Sequence, residues 1–187
     1  MRVVGGRLRS RPIAGPKAEG LRPTADRLRE ALFNILMHAY GDPVTGAPPP
    51  PLFAGTGALG IEAISRGAAF VQFVDDGIEA RSLLRNNTEA LGLGGTTRIF
   101  RRDATKLGPA HPMEPFSLIF LDPPYRKGLA ELALTSAREG GWLKPEAFIV
   151  VEEAADAAFK APKGFEELER RAYDDTELVF LRALDAI

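Results

Sequence analysis

The first forty residues change from a strand-like pattern to a helical one. Residues 2–4 and 8–13 are strand-like and flank Gly5-Gly6, a dipeptide that suits a tight turn, so we expect a β-hairpin. Apolar residues then recur at the spacing of one helix face, at Leu28, Ala31, Leu32, Ile35 and Leu36. This spacing predicts an amphipathic helix that has Thr24 as its N-cap and ends near Gly41.

Beyond residue 51, short apolar runs alternate with helical stretches. The runs predict β-strands at residues 52–53, 70–74, 97–100, 116–121 and 148–152. The stretches between them predict helices at residues 58–66, 78–91 and 129–139. Strands that alternate with helices are typical of a parallel sheet with crossover helices, so we expect a doubly wound α/β fold.

The carboxyl-terminal pattern differs, because two strand-like runs follow each other without a helix. Residues 165–173 and 177–184 are separated by three polar residues, which predicts an antiparallel pair. Residues 41–51 form a Gly- and Pro-rich connector. We therefore divide the chain into an amino-terminal hairpin and helix extension, residues 1–41, and an α/β domain, residues 42–187.

Composition removes several kinds of chemistry. The chain has 187 residues, no cysteine and two histidines, His38 and His111. Disulfides and cysteine nucleophiles are thereby excluded, and we expect no metal site. No apolar run approaches the roughly 20 residues of a membrane span, and the amino terminus lacks the apolar segment of a signal peptide. We expect a cytoplasmic, monomeric protein that does not bind membranes.

The net charge of -1 conceals an uneven distribution. Residues 1–30 carry eight Lys/Arg against three Asp/Glu, a net charge of +5, and the remaining residues carry a net charge of -6. A basic arm in front of an acidic body suits a polyanionic partner. Alternation along a strand would place Arg7, Arg9 and Arg11 on one face, where they could follow a phosphate backbone. The alternative is a solvated hairpin that binds nothing.

A glycine-rich motif lies where the first strand of the α/β region meets a helix. Residues 53–60 have the sequence FAGTGALG, which contains the pattern GxGxxG, and Asp75 ends the next predicted strand. Such glycines let backbone approach a nucleotide-like ligand, and an acidic residue about 20 positions later binds ribose hydroxyls. The alternative is a tight turn with no ligand. A P-loop is excluded because no Gly-Lys-Ser/Thr sequence occurs.

The sequence Asp122-Pro123-Pro124-Tyr125 follows the apolar run 116–121, at the strand end where open α/β sheets bind ligands. An exocyclic base amine is a poor nucleophile because its lone pair is delocalised into the ring. An Asp122 oxygen and the Pro123 carbonyl can accept its N–H groups and aim the lone pair at an electrophile. Tyr125 can stack on the base, and the prolines fix the carbonyl direction. The motif favours methyl transfer over a proline-stiffened turn.

Together these motifs resemble class I S-adenosylmethionine-dependent methyltransferases, and most closely the bacterial RsmD-type family, which methylates guanine N2 in 16S ribosomal RNA. The resemblance covers nearly the whole chain. Besides the two motifs above, it includes Val4-Gly5-Gly6 with Arg9, Leu21-Arg22-Pro23-Thr24, Asp26-Arg27, Arg29-Glu30 and Leu32-Phe33-Asn34. It implies a Rossmann-like, mostly parallel sheet of seven strands with an antiparallel last strand.

The resemblance also implies site residues in a methyltransferase domain at 42–187, with S-adenosyl-L-methionine as cofactor. Gly55, Thr56 and Gly57 would line its methionine part, and Asp75 would bind its ribose. Asp103 matches the position that reaches the adenine amine; the alternative is a solvated acid beside two arginines. Neighbouring cofactor candidates are Phe53, Leu59, Asp76 and Ala104. The catalytic candidates are Asp122, Pro123, Pro124 and Tyr125. The candidates for contact with ribosomal RNA or the small subunit are Arg7, Arg9, Arg11, Arg22, Thr24 and Arg126.

One segment departs from the family pattern. Residues 48–51 are four prolines, where the family has a Val/Leu-rich strand that ends in an acidic residue. Because proline has no N–H donor, we expect the first strand to be shortened or displaced. Three alternatives stay open: an adenine-N6 methyltransferase acting on DNA or RNA, a nicotinamide-dependent dehydrogenase, and a catalytically silent RNA-binding relative. The absence of cysteine disfavours C5-pyrimidine methylation, which needs a thiolate.

Overall fold

Seven β-strands form one sheet. A computed structural model describes residues 1–15, 23–46, 51–52 and 57–185, without the side chains of residues 23–25 and 51–52. The strands in these residues are β1 (Pro51–Leu52), β2 (Val71–Val74), β3 (Thr97–Phe100), β4 (Phe116–Leu121), β5 (Leu143–Ala154), β6 (Phe165–Tyr173) and β7 (Thr176–Ala183). Their order is β3-β2-β1-β4-β5-β7-β6. The first five pair in parallel, whereas β7 is antiparallel to both of its neighbours.

Helices pack on both faces of this sheet. They are α1 (Pro23–Ala39), α2 (Ala58–Ser65), α3 (Ile78–Ala90) and α4 (Leu129–Glu139). The first three share one apolar core with one face of the sheet, and α4 shares a second core with the other face. The expected α/β architecture is confirmed. Among the described residues, no helix is both long and apolar enough to cross a membrane.

Helix α4 shows how the sequence specifies these layers. Its buried positions Ala130, Ala133, Leu134 and Ala137 recur at helical spacing, so one stripe faces the sheet. Three of these four side chains are only methyl groups, which lets the helix lie close to the strands. The helix begins after Gly128, whose φ of 64° suits glycine, and ends at Gly140.

The register of the parallel strands aligns their carboxyl ends. Leu52 pairs with both Val74 and Leu121, and Leu121 pairs with Val151. The residues that follow Val74, Leu121 and Val151 therefore lie together at one edge of the sheet, here called the carboxyl edge. Open α/β sheets bind ligands at this edge. These next residues include Asp75, Asp122 and Glu152.

The described residues of the central strand β1 are Pro51 and Leu52, and Pro51 pairs with Phe120 of β4. Strand β1 lies between β2 and β4, and the expected shortening of this strand stays a prediction. Three of the four prolines and Phe53 lie outside the described residues.

Most boundaries agree with the sequence pattern, with two corrections. Strand β5 begins at Leu143 rather than residue 148, because its first residues include exposed Lys144, Pro145 and Glu146, which hide the apolar pattern. Helix α1 begins at Pro23, so Thr24 lies in its first turn and is not the N-cap. Proline suits the first helical position because its missing N–H has no partner there anyway.

The amino-terminal arm, residues 1–15, is not the expected hairpin of two strands. The antiparallel pairing is confirmed by the bridge between Arg2 and Pro12 and by backbone bonds on both sides of it. The prediction of a second strand at residues 8–13 is wrong, because Gly6–Leu8 is a 3-10 turn and Ser10 has a φ of 71°. Pro12 also lacks the N–H that a ladder needs. Arg7, Arg9 and Arg11 are exposed but do not alternate along one strand.

Buried Glu62 on α2 anchors this arm. Its Oε1 accepts the Val4 N–H and its Oε2 accepts the Gly5 N–H, both at 2.9 Å. The same carboxylate pairs with Arg66 at 2.8 Å and lies 3.7 Å from Arg29, a residue that also bonds the Arg2 carbonyl. Two backbone amides and two guanidinium groups thus compensate the buried charge.

Anchoring places the arginines of the arm at the far ends of two helices. Leu8 donates its N–H to Ser65, the last residue of α2, and Arg11 contacts the carbonyl of Ala90, the last residue of α3. Both helices begin at the carboxyl edge, and α3 has 13 residues. At 1.5 Å per residue, about 20 Å separates its ends. Arg11 therefore lies about one length of α3 from the carboxyl edge.

We expect Glu62→Ala to lower the free energy of unfolding by about 3–5 kcal/mol, because it removes the acceptor of two backbone amides and the ion-pair partner of Arg66. Urea denaturation measures this change. Glu89→Ala, which removes an exposed acid from α3, should change stability by less than about 0.5 kcal/mol. A loss below about 1 kcal/mol for Glu62→Ala would contradict the anchoring role.

Candidate active site

Asp122 follows the last residue of β4 and carries an unpartnered oxygen. The residue is partly accessible, but its Oδ1 is buried and receives no hydrogen bond from the described residues. A buried acceptor without a partner costs about 1–3 kcal/mol. At the ligand-binding edge of the sheet, such an oxygen indicates a place for a ligand N–H or O–H.

The surroundings of Asp122 disfavour its ionised form. Burial raises the pKa of Asp122 well above its usual range, and the neighbouring carboxylates of Glu152 and Asp75 raise it further. Three acids near one another attract positive charge. The carboxyl edge is therefore suited to a ligand that brings both a cation and hydrogen-bond donors.

Tyr125 is fixed through its hydroxyl. This group donates to Glu152 Oε1 at 2.9 Å and lies 3.2 Å from Thr176 Oγ1. Burial, together with the charge of Glu152, raises the pKa of Tyr125, so the hydroxyl stays protonated. Pro123 is buried and Pro124 is exposed. The four residues of the motif thus form one loop whose aromatic ring is tied to β5 and β7.

Asp75 closes a turn between β2 and α3. Its Oδ1 accepts the Gly77 N–H at 2.8 Å, and the structure records no bond to its Oδ2 from the described residues. Asp76 is exposed. Ile78, the first residue of α3, is 77% exposed, and the sequence analysis missed it. The available signal was an apolar residue at a helix start, three positions after the acid. An exposed apolar side chain here suits the face of a flat ring.

Asp103 caps a 3-10 turn at Ala104–Lys106. Its Oδ1 accepts the N–H of Thr105 at 2.9 Å and the Thr105 hydroxyl at 2.7 Å, and these bonds lower the pKa of Asp103. Ala104 is buried. The recorded partners of Asp103 are therefore in the turn, and its role toward a ligand stays a prediction. As in Asp75, the other carboxylate oxygen has no recorded bond within the described chain.

The described glycines of the motif have packing roles. Gly57 precedes α2 with a φ of 81°, and an added Cβ would lie 2.5 Å from Leu84. At Gly60 an added Cβ would lie 2.4 Å from the ring of Phe73, so this glycine sets the distance between α2 and β2. Leu59 is buried. Phe53, Gly55 and Thr56 lie outside the described residues.

The RNA-contact candidates are not gathered at one place. Arg126 lies in the loop after Tyr125 and pairs with Asp156 at 2.8 Å, an exposed ion pair that a phosphate could replace. Arg7, Arg9 and Arg11 lie at the far ends of α2 and α3. Arg22 falls outside the described residues, as does the side chain of Thr24.

Two surface cavities of about 410 Å³ each lie apart from Asp122. One is lined by Gly15 and by the Glu79, Ser82, Leu83 and Asn86 side of α3. The other lies at the opposite sheet edge, between Phe70, Arg98 and Phe116. We place the candidate site at the aligned acids and the buried Asp122 oxygen, because these groups can bind hydrogen-bond donors and a cation. Asp122 lines neither of the two cavities.

The strand order, the acids at the carboxyl edge and the Asp-Pro-Pro-Tyr loop define the fold of the α/β methyltransferases. A solved structure from Escherichia coli, described as methyltransferase yhhF, superposes with a TM-score of 0.81 at 30% identity, covering 100% of this chain and 99% of that one. The likeness extends over the arm as well as the sheet.

The chain belongs to the family of ribosomal RNA small subunit methyltransferase D, RsmD. The matching family model, described as conserved hypothetical protein 95, covers residues 1–182. The Escherichia coli K12 relative of that name is 39% identical over 153 residues, 81% of this chain and 74% of its own length. The Haemophilus influenzae relative is 33% identical over 175 residues, 91% of this chain and 88% of its own length.

We expect Asp122→Asn to raise the melting temperature at neutral pH by roughly 2–4 °C. In a chain of this size, this shift corresponds to a gain of about 1 kcal/mol in stability. Folding raises the pKa of Asp122, so the fold favours the protonated carboxyl. The stability that the protonated carboxyl contributes is complete below the unfolded pKa, about 3.9, and is lost as pH rises through the folded pKa. Melting curves from pH 4 to pH 8 measure this. The gain should shrink toward pH 4.

Asp76→Asn, which changes the exposed neighbour of Asp75, serves as the control and should show no such pH-dependent gain. A lower melting temperature for Asp122→Asn at pH 7 would mean that the ionised carboxylate makes stabilising contacts.

Proposed function

We propose that the chain transfers a methyl group from S-adenosyl-L-methionine to the exocyclic N2 amine of a guanine in small-subunit ribosomal RNA. The observation that carries this proposal is the unpartnered Oδ1 of Asp122 within the Asp-Pro-Pro-Tyr loop. Relatives named ribosomal RNA small subunit methyltransferase D support the choice of RNA.

The described residues fit the cofactor. When bound, S-adenosyl-L-methionine supplies a methyl group on a positively charged sulfur, and the S–C bond breaks as the new N–C bond forms. Asp75 and Glu152 offer the negative charge that such a cation favours. The second oxygens of Asp75 and Asp103 can accept ribose hydroxyl and adenine amine donors. Exposed Ile78 can cover one face of the adenine.

Asp122 and Pro123 prepare the amine. An Asp122 oxygen and the Pro123 carbonyl each accept one N–H, so the lone pair is drawn out of conjugation with the ring and points away from both acceptors. After the nitrogen has formed its new bond, it is a strong acid. Its proton passes to the carboxylate of Asp122, whose raised pKa makes it a better acceptor than an ordinary aspartate. The protonated Asp122 then releases the proton to water.

A carboxylate at position 122 favours guanine over adenine. The Watson–Crick edge of guanine presents two adjacent donors, N1–H and N2–H, whereas adenine presents one acceptor and one donor. An ionised aspartate has only acceptors, but an asparagine amide has one acceptor and one donor. Asp122 therefore complements guanine, and the adenine-N6 alternative would be better served by asparagine.

Tyr125 supports the base rather than the proton transfer. Its hydroxyl is already occupied by Glu152 and Thr176, so its contribution to substrate is the face of its ring. Stacking of a base on an aromatic side chain contributes about 1–3 kcal/mol and is available only to a base that has left its helix.

We expect Asp122→Ala to lower the rate of methyl transfer about a hundredfold or more and to change the dissociation constant of the cofactor little, because the lost oxygen acts mainly on the amine. The assay supplies methyl-labelled cofactor with assembled small subunits, deproteinised ribosomal RNA or duplex DNA, and mass spectrometry of the digested product identifies the base. Glu89→Ala, which removes an exposed acid from α3, is the control and should change neither the rate nor cofactor binding.

N2-methylguanine in RNA supports the proposal, and N6-methyladenine would replace it with the adenine-N6 activity. Binding of cofactor without any transfer to the three substrates would favour the silent RNA-binding relative. Activity of Asp122→Ala within a factor of two of the parent would remove the loop from the active site.

The arm offers a second contact with RNA, about one helix length from the site. A strand that reaches both Asp122 and Arg11 must cover about 20 Å. Because Glu62 fixes the arm, the exposed Arg7, Arg9 and Arg11 form a surface of constant shape. Such a surface contacts phosphates without reading their sequence.

We expect replacement of Arg7, Arg9 and Arg11 by alanine to flatten the dependence of log affinity on log salt by about two units, at roughly 0.7 per single-strand phosphate. All RNA sequences should be weakened alike, and cofactor affinity should not change. RNA titrations at salt concentrations from about 50 to about 200 mM measure this slope. Replacing Arg170 and Arg171, which pair with glutamates on β6, is the control. An unchanged slope in the triple variant would mean a solvated arm.

A further inference from the structure

The loop that follows Asp122 is fastened to the end of β5 by consecutive residues. Tyr125 bonds Glu152 through its hydroxyl, the backbone N–H of Arg126 donates to Glu153 Oε1 at 3.0 Å, and the Arg126 side chain pairs with Asp156. Of the three acceptors, Glu152 is half-buried and Asp156 is exposed, whereas Glu153 is 1% exposed. The bond to Glu153 is therefore the one that water competes for least.

Glu153 has no part in the chemistry proposed above. Its position on β5 alternates with that of Glu152, so the two side chains project to opposite faces of the sheet. Val151, two residues earlier, belongs to the core under α4, and Glu153 projects to that same face. Its Oε1 also accepts the N–H of Ala154 at 2.7 Å. A fully buried carboxylate that touches neither the proposed base nor the proposed cofactor needs another reason to be there.

The backbone that Glu153 holds is strained. Arg126 has a φ of 64°, a left-handed conformation that a residue with a side chain adopts at a cost. The conformation turns the chain from the motif toward Gly128, where α4 begins. Without an acceptor for the Arg126 N–H, the loop could relax, and both the Pro123 carbonyl and the Tyr125 ring would move with it.

We propose that Glu153 is a positioning residue for methyl transfer: its Oε1 holds the Arg126 amide and so fixes the direction of the Pro123 carbonyl and the Tyr125 ring. This inference rests on the proposed function. Glu153 acts through backbone, so an uncharged oxygen at the same place serves equally well. Negative charge near the start of α4 adds stability but does not direct the loop.

The test compares Glu153→Ala, which removes the acceptor, with Glu153→Gln, which keeps an oxygen there. We expect Glu153→Ala to lower kcat on the order of tenfold to a hundredfold, the effect of a displacement near 1 Å, with cofactor affinity and the KM for RNA changed much less. Glu153→Gln should keep kcat within about threefold of the parent. Hydrogen exchange at the Arg126 amide, followed by NMR, should be about tenfold faster in Glu153→Ala and close to parental in Glu153→Gln.

Asp42→Ala is the matched control. Asp42 also accepts two backbone N–H groups, from Val44 and Thr45, but in the turn after α1, which bonds Gly67 ahead of the amino end of β2 and so lies away from the carboxyl edge. It should lose stability without loss of kcat and without faster exchange at Arg126. A purely structural role for Glu153 predicts the same behaviour in Glu153→Ala.

Parental kcat or parental Arg126 exchange in folded Glu153→Ala overturns the proposal, and so does an equal fall of kcat in the alanine and glutamine variants. If Glu153→Ala does not fold, Glu153→Asp withdraws the oxygen by one methylene group and decides by the same two readouts. If the parent transfers no methyl group to any substrate, the proposed function fails, and the exchange rate at Arg126 alone then decides whether Glu153 holds the loop.

Discussion

The pairing register at the centre of the sheet is the constraint on which the site depends. Leu52 has to lie beside Val74 and Leu121, and Leu121 beside Val151, for Asp75, Asp122 and Glu152 to reach one edge together. A shift of β4 by one residue would turn Asp122 to the opposite face of the sheet and bury its charge against α4. These strands are buried on both faces, so the packing of their side chains against the helices on each face holds this register and with it the positions of the three acids.

That register brings like charges together, and this works against stability. Asp122 is partly buried near two other carboxylates and its Oδ1 receives no bond from the described residues, so the folded chain without ligands keeps a destabilising group at its edge. The rest of the fold has to compensate, and it does so through two apolar cores that cover both faces of the sheet. A cationic ligand and a base amine would relieve the same group, which is how binding energy can be directed to the reacting atoms.

Much of this architecture could be predicted from the sequence, because apolar periodicity specifies elements wherever one face is buried. Strand β4 and helix α4 begin and end where the pattern places them. The arm and the start of β5 could not be predicted in this way. Leu8 is buried by contact with α2, more than 50 residues away in the sequence. Exposed polar residues at the start of β5 interrupt the apolar pattern that would have predicted the strand there. In the site, Asp122 and Tyr125 carry a local motif, whereas Ile78 and Glu153 acquire their surroundings only when the strands align.

Two buried glutamates carry out the same physical task at opposite ends of the molecule. Both carboxylate oxygens of Glu62 accept hydrogen bonds from backbone amides of the arm, and one oxygen of Glu153 accepts a hydrogen bond from the amide of Arg126. In each case a segment without regular secondary structure is held by a charge-assisted bond that water does not reach, which is stronger than a bond between neutral groups. Loops alone would let the proposed RNA-contacting surface and the proposed catalytic carbonyl move independently. Because both are tied to rigid elements of one sheet, the distance between the arm and Asp122 is set by the length of α2 and α3, and an RNA that contacts both has to match it.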